Sequence, residues 1–315
     1  ARDVKKEIIR LKNIGIKGLV LDLRNNGGGS LKTVVEMAGL FIQEGPIVQV
    51  RSMDKESQIL RDKDRSIIWE GPLVILVNEF SASASEILAA AMQDYKRAII
   101  IGSKQTYGKG TVQNVLDLNK MVRSNTNGDL GALKFTTQKY YRINGGSTQL
   151  EGVKSDIVVP DKYTYVDFGE KDQENPLEWD KIDPVSYEPW KSLFDYNKTI
   201  DASKNRMKSS EFISLIDENA KWIKSIRDRN IYTLNYSKFK KDLLLNEEKV
   251  KKYKKLSDYS SDLTFKSLPY EIDLIAKDSS LGEKRKRWHK NLSKDIYVNE
   301  SLNVLNDLRL SYVER

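Results

Sequence analysis

Residues 73–113 read LVILVNEFSASASEILAAAMQDYKRAIIIGSKQTYGKGTVQ, and this stretch decides the fold. The apolar runs 73–77 and 99–101 are typical of buried strands, whereas residues 87–97 are typical of a helix. The stretch therefore predicts a strand, a sharp turn, a helix and a second strand in that order. The serines of the S-A-S-A-S run lie where the first strand gives way to the helix.

The predicted position of Ser83 at the start of this helix suits a nucleophile. The first N–H groups of a helix have no partner within the helix and carry the positive end of its dipole, so an oxyanion that forms there is stabilised. The pattern Ser83 to Glu86 is also an S-x-x-E capping box, in which both side chains only satisfy backbone donors. Taken alone, this pattern favours capping over catalysis.

A nucleophilic serine needs a base, and the usual base is histidine. The chain has a single histidine, His289, and no cysteine. The lack of cysteine excludes a thiol nucleophile and cysteine-ligated metal sites. Because His289 lies in the basic segment 284–290, far along the chain from Ser83, the sequence indicates that a catalytic Ser83 would use another base.

Lys109 is the candidate base. It lies between Gly108 and Gly110, and glycine permits the positive φ with which a turn can press the lysine side chain into a site. A base must be neutral, and lowering a lysine pKa from ~10.4 to near 7 takes ~5 kcal/mol, which burial against apolar side chains can supply. Without Ser83 beside it, a solvated turn lysine or a phosphate ligand is the simpler interpretation.

The runs SASASEI (81–87), AMQDY (91–95) and YGKGTVQ (107–113) resemble the C-terminal processing, or tail-specific, peptidase family. In that family the middle serine is the nucleophile, the lysine is the general base and the glutamine orients the lysine. Those residues of this chain are Ser83, Lys109 and Gln113. The resemblance implies a serine endopeptidase that uses a Ser-Lys dyad and needs no metal or organic cofactor.

A second part of the resemblance is the glycine loop after the predicted strand 18–23. Residues 22–29 read DLRNNGGG and resemble the D-L-R-x-N-x-G-G signature of the family. The resemblance implies two oxyanion donors, one from Gly27 or Gly28 and the other from Ala84. Two preorganised N–H donors contribute ~3 kcal/mol each to transition-state stabilisation.

The glycine loop also has an alternative interpretation as a phosphate site. It does not match G-x-G-x-x-G, and no acidic ribose ligand follows about 20 residues later. Lys109 does not fit a P-loop either, because Gly110 follows where serine or threonine is required. Nucleotide binding is therefore the weaker interpretation, and we expect Asp22, Arg24 and Asn25 to brace the turn.

The composition is that of an ordinary globular protein. The 315 residues are 39% hydrophobic and 31% charged, with a net charge of +8 that is spread over both halves of the chain. This spread argues against nucleic-acid binding, and we interpret the basic runs 249–255 and 284–290 as solvated helix faces, with an acidic partner as a minor alternative. No apolar run has the length of a membrane span.

The character of the chain changes near residue 161, where charged helical patterns replace strand patterns. We expect residues 1–172 to form a serine protease core and residues 173–315 an α-helical C-terminal domain. The resemblance implies an α/β core, the β-β-α superhelix of ClpP/crotonase-like proteins. Hairpins are predicted within 134–160, and apolar stripes at helical spacing are predicted at 212–226 and 302–308.

The chain starts at Ala1 without Met or a signal sequence, and apolar residues recur at helical spacing from Val4 onwards. We therefore expect a fragment that lacks an N-terminal part and the peptide-binding PDZ module of the family. The resemblance implies a periplasmic or otherwise exported protein whose protein or peptide substrates are recognised by their C-terminal tails. It also implies an adaptor protein as a further partner.

Two other classes of function remain open from the sequence. A strand, glycine loop and helix with an oxyanion site also suit a crotonase-like acyl-CoA enzyme. Alternatively, the chain is a non-catalytic scaffold fragment whose helical part binds partners. Binding of coenzyme A separates the first alternative from a peptidase, and reactivity of Ser83 separates the second.

Overall fold

The computed structural model describes residues 1–53, 55–122 and 128–311. The strands are β1 (Leu19–Asp22), β2 (Gly45–Ser52), β3 (Gln58–Asp62), β4 (Leu73–Val77), β5 (Ile99–Gly102), β6 (Thr111–Asp117), β7 (Ala132–Tyr141) and β8 (Ile157–Val158). The helices are α1 (Arg2–Asn13), α2 (Leu31–Ala38), α3 (Ala84–Asp94), α4 (Tyr196–Lys208), α5 (Glu211–Arg227), α6 (Tyr236–Lys254), α7 (Pro269–Lys277), α8 (Ser279–Ser293) and α9 (Ile296–Leu310). Short 3₁₀ turns lie at Leu118–Lys120, Glu170–Asp172 and Lys255–Asp258.

The first sheet is parallel and has the order β1-β4-β5-β8. Leu19 lies opposite Leu73, and Val74 lies opposite Ile99. Every residue of β4 is buried, as expected for a parallel strand that is covered on both faces. The apolar runs that predicted strands therefore form the centre of this sheet.

The second sheet is antiparallel and has the order β3-β2-β7-β6. β6 and β7 form a hairpin, and Gln49 of β2 lies opposite Tyr141 of β7. The prediction of hairpins within 134–160 is wrong for the end of that segment, because β8 pairs in parallel with β5 and belongs to the first sheet. The local pattern reveals a strand but not a partner that lies so far away in sequence.

The helix α3 begins earlier than the sequence pattern predicts. Ser83 is its N-cap, and the Ser83 N–H donates to the Glu86 carboxylate at 2.7 Å. The helix ends at Asp94, because Lys96 has a φ of +53° that a right-handed helix cannot continue through. Its residues 84–92 are all buried, so α3 is an internal helix of the core.

The two faces of the first sheet are covered by different parts of the chain. Leu73 and Ile75 pack in one apolar cluster with α3, whereas Val74 and Leu76 pack in another with α9. This division follows the alternation of side chains along a strand. The helical C-terminal region therefore completes the core around this sheet.

The predicted helices of the C-terminal region are present. α5 contains the apolar stripe at 212–226, and α9 contains the stripe at 302–308. The architecture confirms the expected α/β core followed by a helical region. Over the described ranges, the helices are all too short or too polar to cross a membrane.

The packing of α9 on the sheet leads to a stability prediction. Leu308 is fully buried, so we expect Leu308→Ala to lower the free energy of unfolding by ~2–5 kcal/mol, because the truncation leaves a cavity. The matched control is Leu310→Ala in the same helix, where the leucine is 72% exposed and little should change. Urea unfolding of both variants measures the difference, and equal losses would contradict this packing.

Candidate active site

Ser83 lies in a strained turn at the start of α3. Its φ is +56° and its ψ is −114°, a combination that L residues rarely adopt. Such a conformation costs on the order of 1–3 kcal/mol and persists only where surrounding contacts fix it. The contacts of the surrounding residues must therefore maintain the backbone conformation of Ser83.

Lys109 lies in the glycine turn that precedes β6. Its Nζ donates a hydrogen bond to Gln113 Oε1 at 3.1 Å. Burial lowers the pKa of Lys109 below its usual value, and the positive charge of Lys134 lowers it further. Gly108 has a φ of +88°, and a Cβ there would lie 3.0 Å from the Leu150 carbonyl carbon, so the turn has no room for a side chain at this position.

The carboxylate of Glu86 joins two turns. We call them the serine turn (78–83, between β4 and α3) and the lysine turn (103–110, between β5 and β6). One oxygen accepts the N–H groups of Ser83 at 2.7 Å and Lys109 at 3.0 Å. The other accepts the Thr106 hydroxyl at 2.6 Å and the Gly108 N–H at 2.7 Å. Glu86 is fully buried, and burial raises its pKa to about 7 although these four donors favour the charged form.

The buried Tyr140 of β7 makes a second bridge between the two turns. Its hydroxyl donates to the Lys109 carbonyl and lies 3.4 Å from the Ser83 carbonyl oxygen. The Thr148 hydroxyl also donates to the Lys109 carbonyl, at 3.0 Å. The backbones of Ser83 and Lys109 are thus held in place by three side chains from separate segments, those of Glu86, Tyr140 and Thr148.

The glycine loop lies against the serine turn at Gly28. Gly28 has a φ of +105°, and a Cβ there would lie 2.8 Å from Ser83 Cβ and 3.0 Å from Ala84 N. A Cβ at Gly27 would meet nothing within 4 Å. The Gly28 N–H donates to the Asn26 side chain at 2.9 Å. The close approach thus involves Gly28, while its N–H is engaged within the loop.

The side chain of Asn78 and the backbone carbonyl of Asn26 fasten the glycine loop to the serine turn. Asn78 Oδ1 accepts the Asn25 N–H at 2.9 Å, and Asn78 Nδ2 donates to Asn25 Oδ1 at 3.0 Å. The Asn26 carbonyl accepts the Ala82 N–H and the Ser85 hydroxyl, each at 3.0 Å. This pattern fits the expectation that Asn25 braces the turn.

The sequence interpretation missed the wider role of Glu86 and all of the role of Tyr140. The S-x-x-E pattern identified the hydrogen bond that the Ser83 N–H donates to Glu86, but it gave no sign that the same carboxylate also accepts the Lys109 N–H. Tyr140 had no local signal, because it comes from a strand of the other sheet. His289 lies in α8 of the helical region.

The groups that the candidate site presents are not typical metal ligands. Across residues 1–53, 55–122 and 128–311, no three side chains of the types His, Cys, Asp and Glu cluster so that they could hold an ion. The candidate site offers hydroxyl, amine, amide and backbone groups, which belong to Ser83, Lys109, Gln113, Gly27, Gly28 and Ala84. Such groups suit nucleophilic attack, proton transfer and stabilisation of an oxyanion.

Comparison with known families identifies the chain. The model of peptidase family S41 matches residues 1–159, and the model of the C-terminal domain of tail specific protease matches residues 163–309. The chain belongs to peptidase family S41. This membership confirms the resemblance that the serine and lysine runs indicate, and S41 is a family of serine peptidases.

Two curated proteins are similar to parts of this chain. The "Tail-specific protease" of Haemophilus influenzae is 42% identical over 74% of this chain and 34% of its own length. The "Carboxy-terminal-processing protease" of Bartonella bacilliformis is 42% identical over 47% of this chain and 33% of its own. The chain thus spans about a third of the length of these relatives.

A solved structure described as photosystem II D1 C-terminal processing protease is 34% identical to this S41 chain. The superposition covers 49% of this chain and 38% of the solved chain, with a TM-score of 0.43.

The bridge that Glu86 makes between the turns can be tested by Glu86→Gln. The substitution replaces one acceptor oxygen with an amide donor, which leaves buried N–H groups without partners, so we expect the free energy of unfolding to fall by on the order of 3 kcal/mol. Urea unfolding measures this loss. Glu36→Gln is the control, because the Glu36 side chain is 51% exposed. A Glu86→Gln protein as stable as that control would show that the bridge contributes nothing.

Proposed function

We propose that this chain is the catalytic part of a serine endopeptidase that acts through a Ser-Lys dyad of Ser83 and Lys109. The observation that carries the proposal is the Glu86 carboxylate, which accepts backbone N–H groups from both residues. A lowered Lys109 pKa and the hydrogen bond to Gln113 support the assignment of Lys109 as a base that is neutral and oriented.

In the proposed reaction, Ser83 Oγ attacks the scissile carbonyl carbon while neutral Lys109 takes the hydroxyl proton. The tetrahedral oxyanion receives hydrogen bonds from the N–H of Ala84 and from the N–H of Gly27, or from that of Gly28 if it exchanges its Asn26 acceptor for the oxyanion. Collapse of this intermediate breaks the peptide bond, and Lys109 returns the proton to the leaving amine. Water then attacks the acyl-enzyme by the same route and frees Ser83.

The substrates that we propose are proteins and peptides selected by their C-terminal tails. This proposal rests on family membership and on relatives called tail-specific and carboxy-terminal-processing proteases. A periplasmic or otherwise exported location and an adaptor protein belong to the same proposal. The division into a protease core, 1–172, and a helical domain, 173–315, is also part of it, and no metal or organic cofactor enters the mechanism.

A fluorophosphonate probe with a peptidase assay is the basic test of the proposal. Labelling and cleavage that disappear in Ser83→Ala support a nucleophilic Ser83, and equal labelling of both proteins contradicts it. Titration with coenzyme A tests the acyl-CoA alternative, for which heat of binding is expected.

The role of Lys109 can be tested through its charge. Arginine cannot lose its proton in a protein, so we expect Lys109→Arg to be as inactive as Lys109→Ala, each losing about 10²–10⁴ in kcat/KM. Gln113→Ala should be milder, because it removes one hydrogen bond worth ~1–3 kcal/mol.

The pH profile of the unmodified protein gives a second readout for Lys109. Because the neutral amine is the active form and burial lowers its pKa, kcat/KM should rise with pH through a pKa below 10.5. Activity of Lys109→Arg at several pH values is the decisive measurement. Substantial turnover by that variant removes Lys109 from the mechanism.

Activity should not depend on the single histidine. A catalytic base contributes about 10²–10⁴ to the rate, whereas we expect His289→Ala to remain within about threefold of the unmodified protein. Peptide cleavage is measured beside a circular dichroism spectrum, which checks that the variant keeps the helix content of the unmodified protein. A loss of several orders of magnitude in a folded variant would end the dyad proposal.

A further inference from the structure

The last helix of the C-terminal region begins beside the glycine loop. Asp295 is the N-cap of α9, and its Oδ1 accepts the N–H groups of Tyr297 at 2.9 Å and Val298 at 3.2 Å. Its other oxygen, Oδ2, accepts a hydrogen bond from Arg24 Nη2 at 2.8 Å. One carboxylate thus starts α9 and contacts the residue that opens the glycine loop.

Arg24 is held on its other side by Asp22 at the end of β1. Arg24 Nε donates to Asp22 Oδ1 at 3.0 Å, and Nη2 donates to Asp22 Oδ2 at 2.7 Å. The side chains of Arg24 and Asp295 are only 18% and 21% exposed. Burial disfavours the charge on Arg24, but the hydrogen bonds to Asp22 and Asp295 outweigh it and raise the Arg24 pKa.

The position of Arg24 matters because it directly precedes the residues that hold the loop. Asn25 and Asn26 make the hydrogen bonds that fasten the loop to the serine turn. Two residues later, Gly28 lies against Ser83. A shift of the Arg24 backbone would therefore be passed directly to the candidate oxyanion donors, where small displacements are costly.

We propose that Arg24 is a positioning residue and that Asp295 is its anchor, so that α9 holds the glycine loop in register with Ser83. The helical region then helps to set the geometry of the candidate active site. This inference rests on the proposed function, because it assigns to the loop a role in stabilising the oxyanion. It goes further in making that role depend on a contact between residues 271 positions apart.

The variant that isolates the contact is Asp295→Asn. Asparagine caps a helix about as well as aspartate, so α9 keeps its N-cap while the charge that faces Arg24 is removed. We expect two changes. Backbone amides in the segment 25–29 should exchange hydrogen faster, and kcat should fall about tenfold with KM nearly unchanged, because oxyanion donors act in the transition state.

The matched control is Arg206→Met. Arg206 of α4 also pairs with carboxylates of α9, namely Glu300 at 2.6 Å and Asp307 at 2.9 Å, but it does not contact the glycine loop. Its loss should lower stability while hydrogen exchange in 25–29 and kcat stay unchanged. If this control reproduces both effects of Asp295→Asn, the contact acts only through general stability and the proposal is overturned.

A double variant gives an independent readout. If Asp295 acts through Arg24, the double variant Arg24→Met with Asp295→Asn should be no slower than Arg24→Met alone. Once Arg24 is gone, Asp295 has nothing left to hold, so the effects of the two substitutions do not add. Additive losses would overturn the anchor role. If Ser83→Ala leaves probe labelling intact, the proposed function fails, and the exchange measurement still decides whether Asp295 orders the loop.

Discussion

One buried carboxylate, that of Glu86, is the constraint on which the site depends. Withdrawing a carboxyl group from water is costly, and the cost is offset only where donors surround it. Here the four donors come from Ser83, Thr106, Gly108 and Lys109, which belong to two turns far apart in sequence. The carboxylate can be satisfied only when both turns are in place, so its burial couples the folding of the core to the assembly of the site.

The parallel sheet supplies the frame for this arrangement. Alternate residues of β4 face α3 and α9, so a single strand positions the serine turn at its end and accepts the helical region on its other face. The strained backbone of Ser83 follows this strand, which ends at Val77. Strain of this kind is held by rigid neighbours, which is what a preorganised nucleophile requires.

The sequence predicted the features that depend on local pattern. The strands around 73–77 and 99–101, a helix after Ser83 and the apolar stripe of α9 all follow from local sequence patterns, although α3 begins three residues before the predicted start at Ile87. The parallel placement of β8, the reach of Glu86 to Lys109 and the Arg24–Asp295 pair did not follow. Each of these joins segments that come together only through the tertiary fold. A local sequence pattern carries no information about a contact with a residue far away in the sequence.

The position of α9 also bears on how the protein is made. Val74 and Leu76 pack against residues of α9, although their strand is synthesised long before that helix. Contacts that span so much of the chain make folding slow, because a long loop must close before they form. A chain emerging from the ribosome would then hold this sheet with one face uncovered, and the pair of Arg24 and Asp295 could form only after the helical region had been translated.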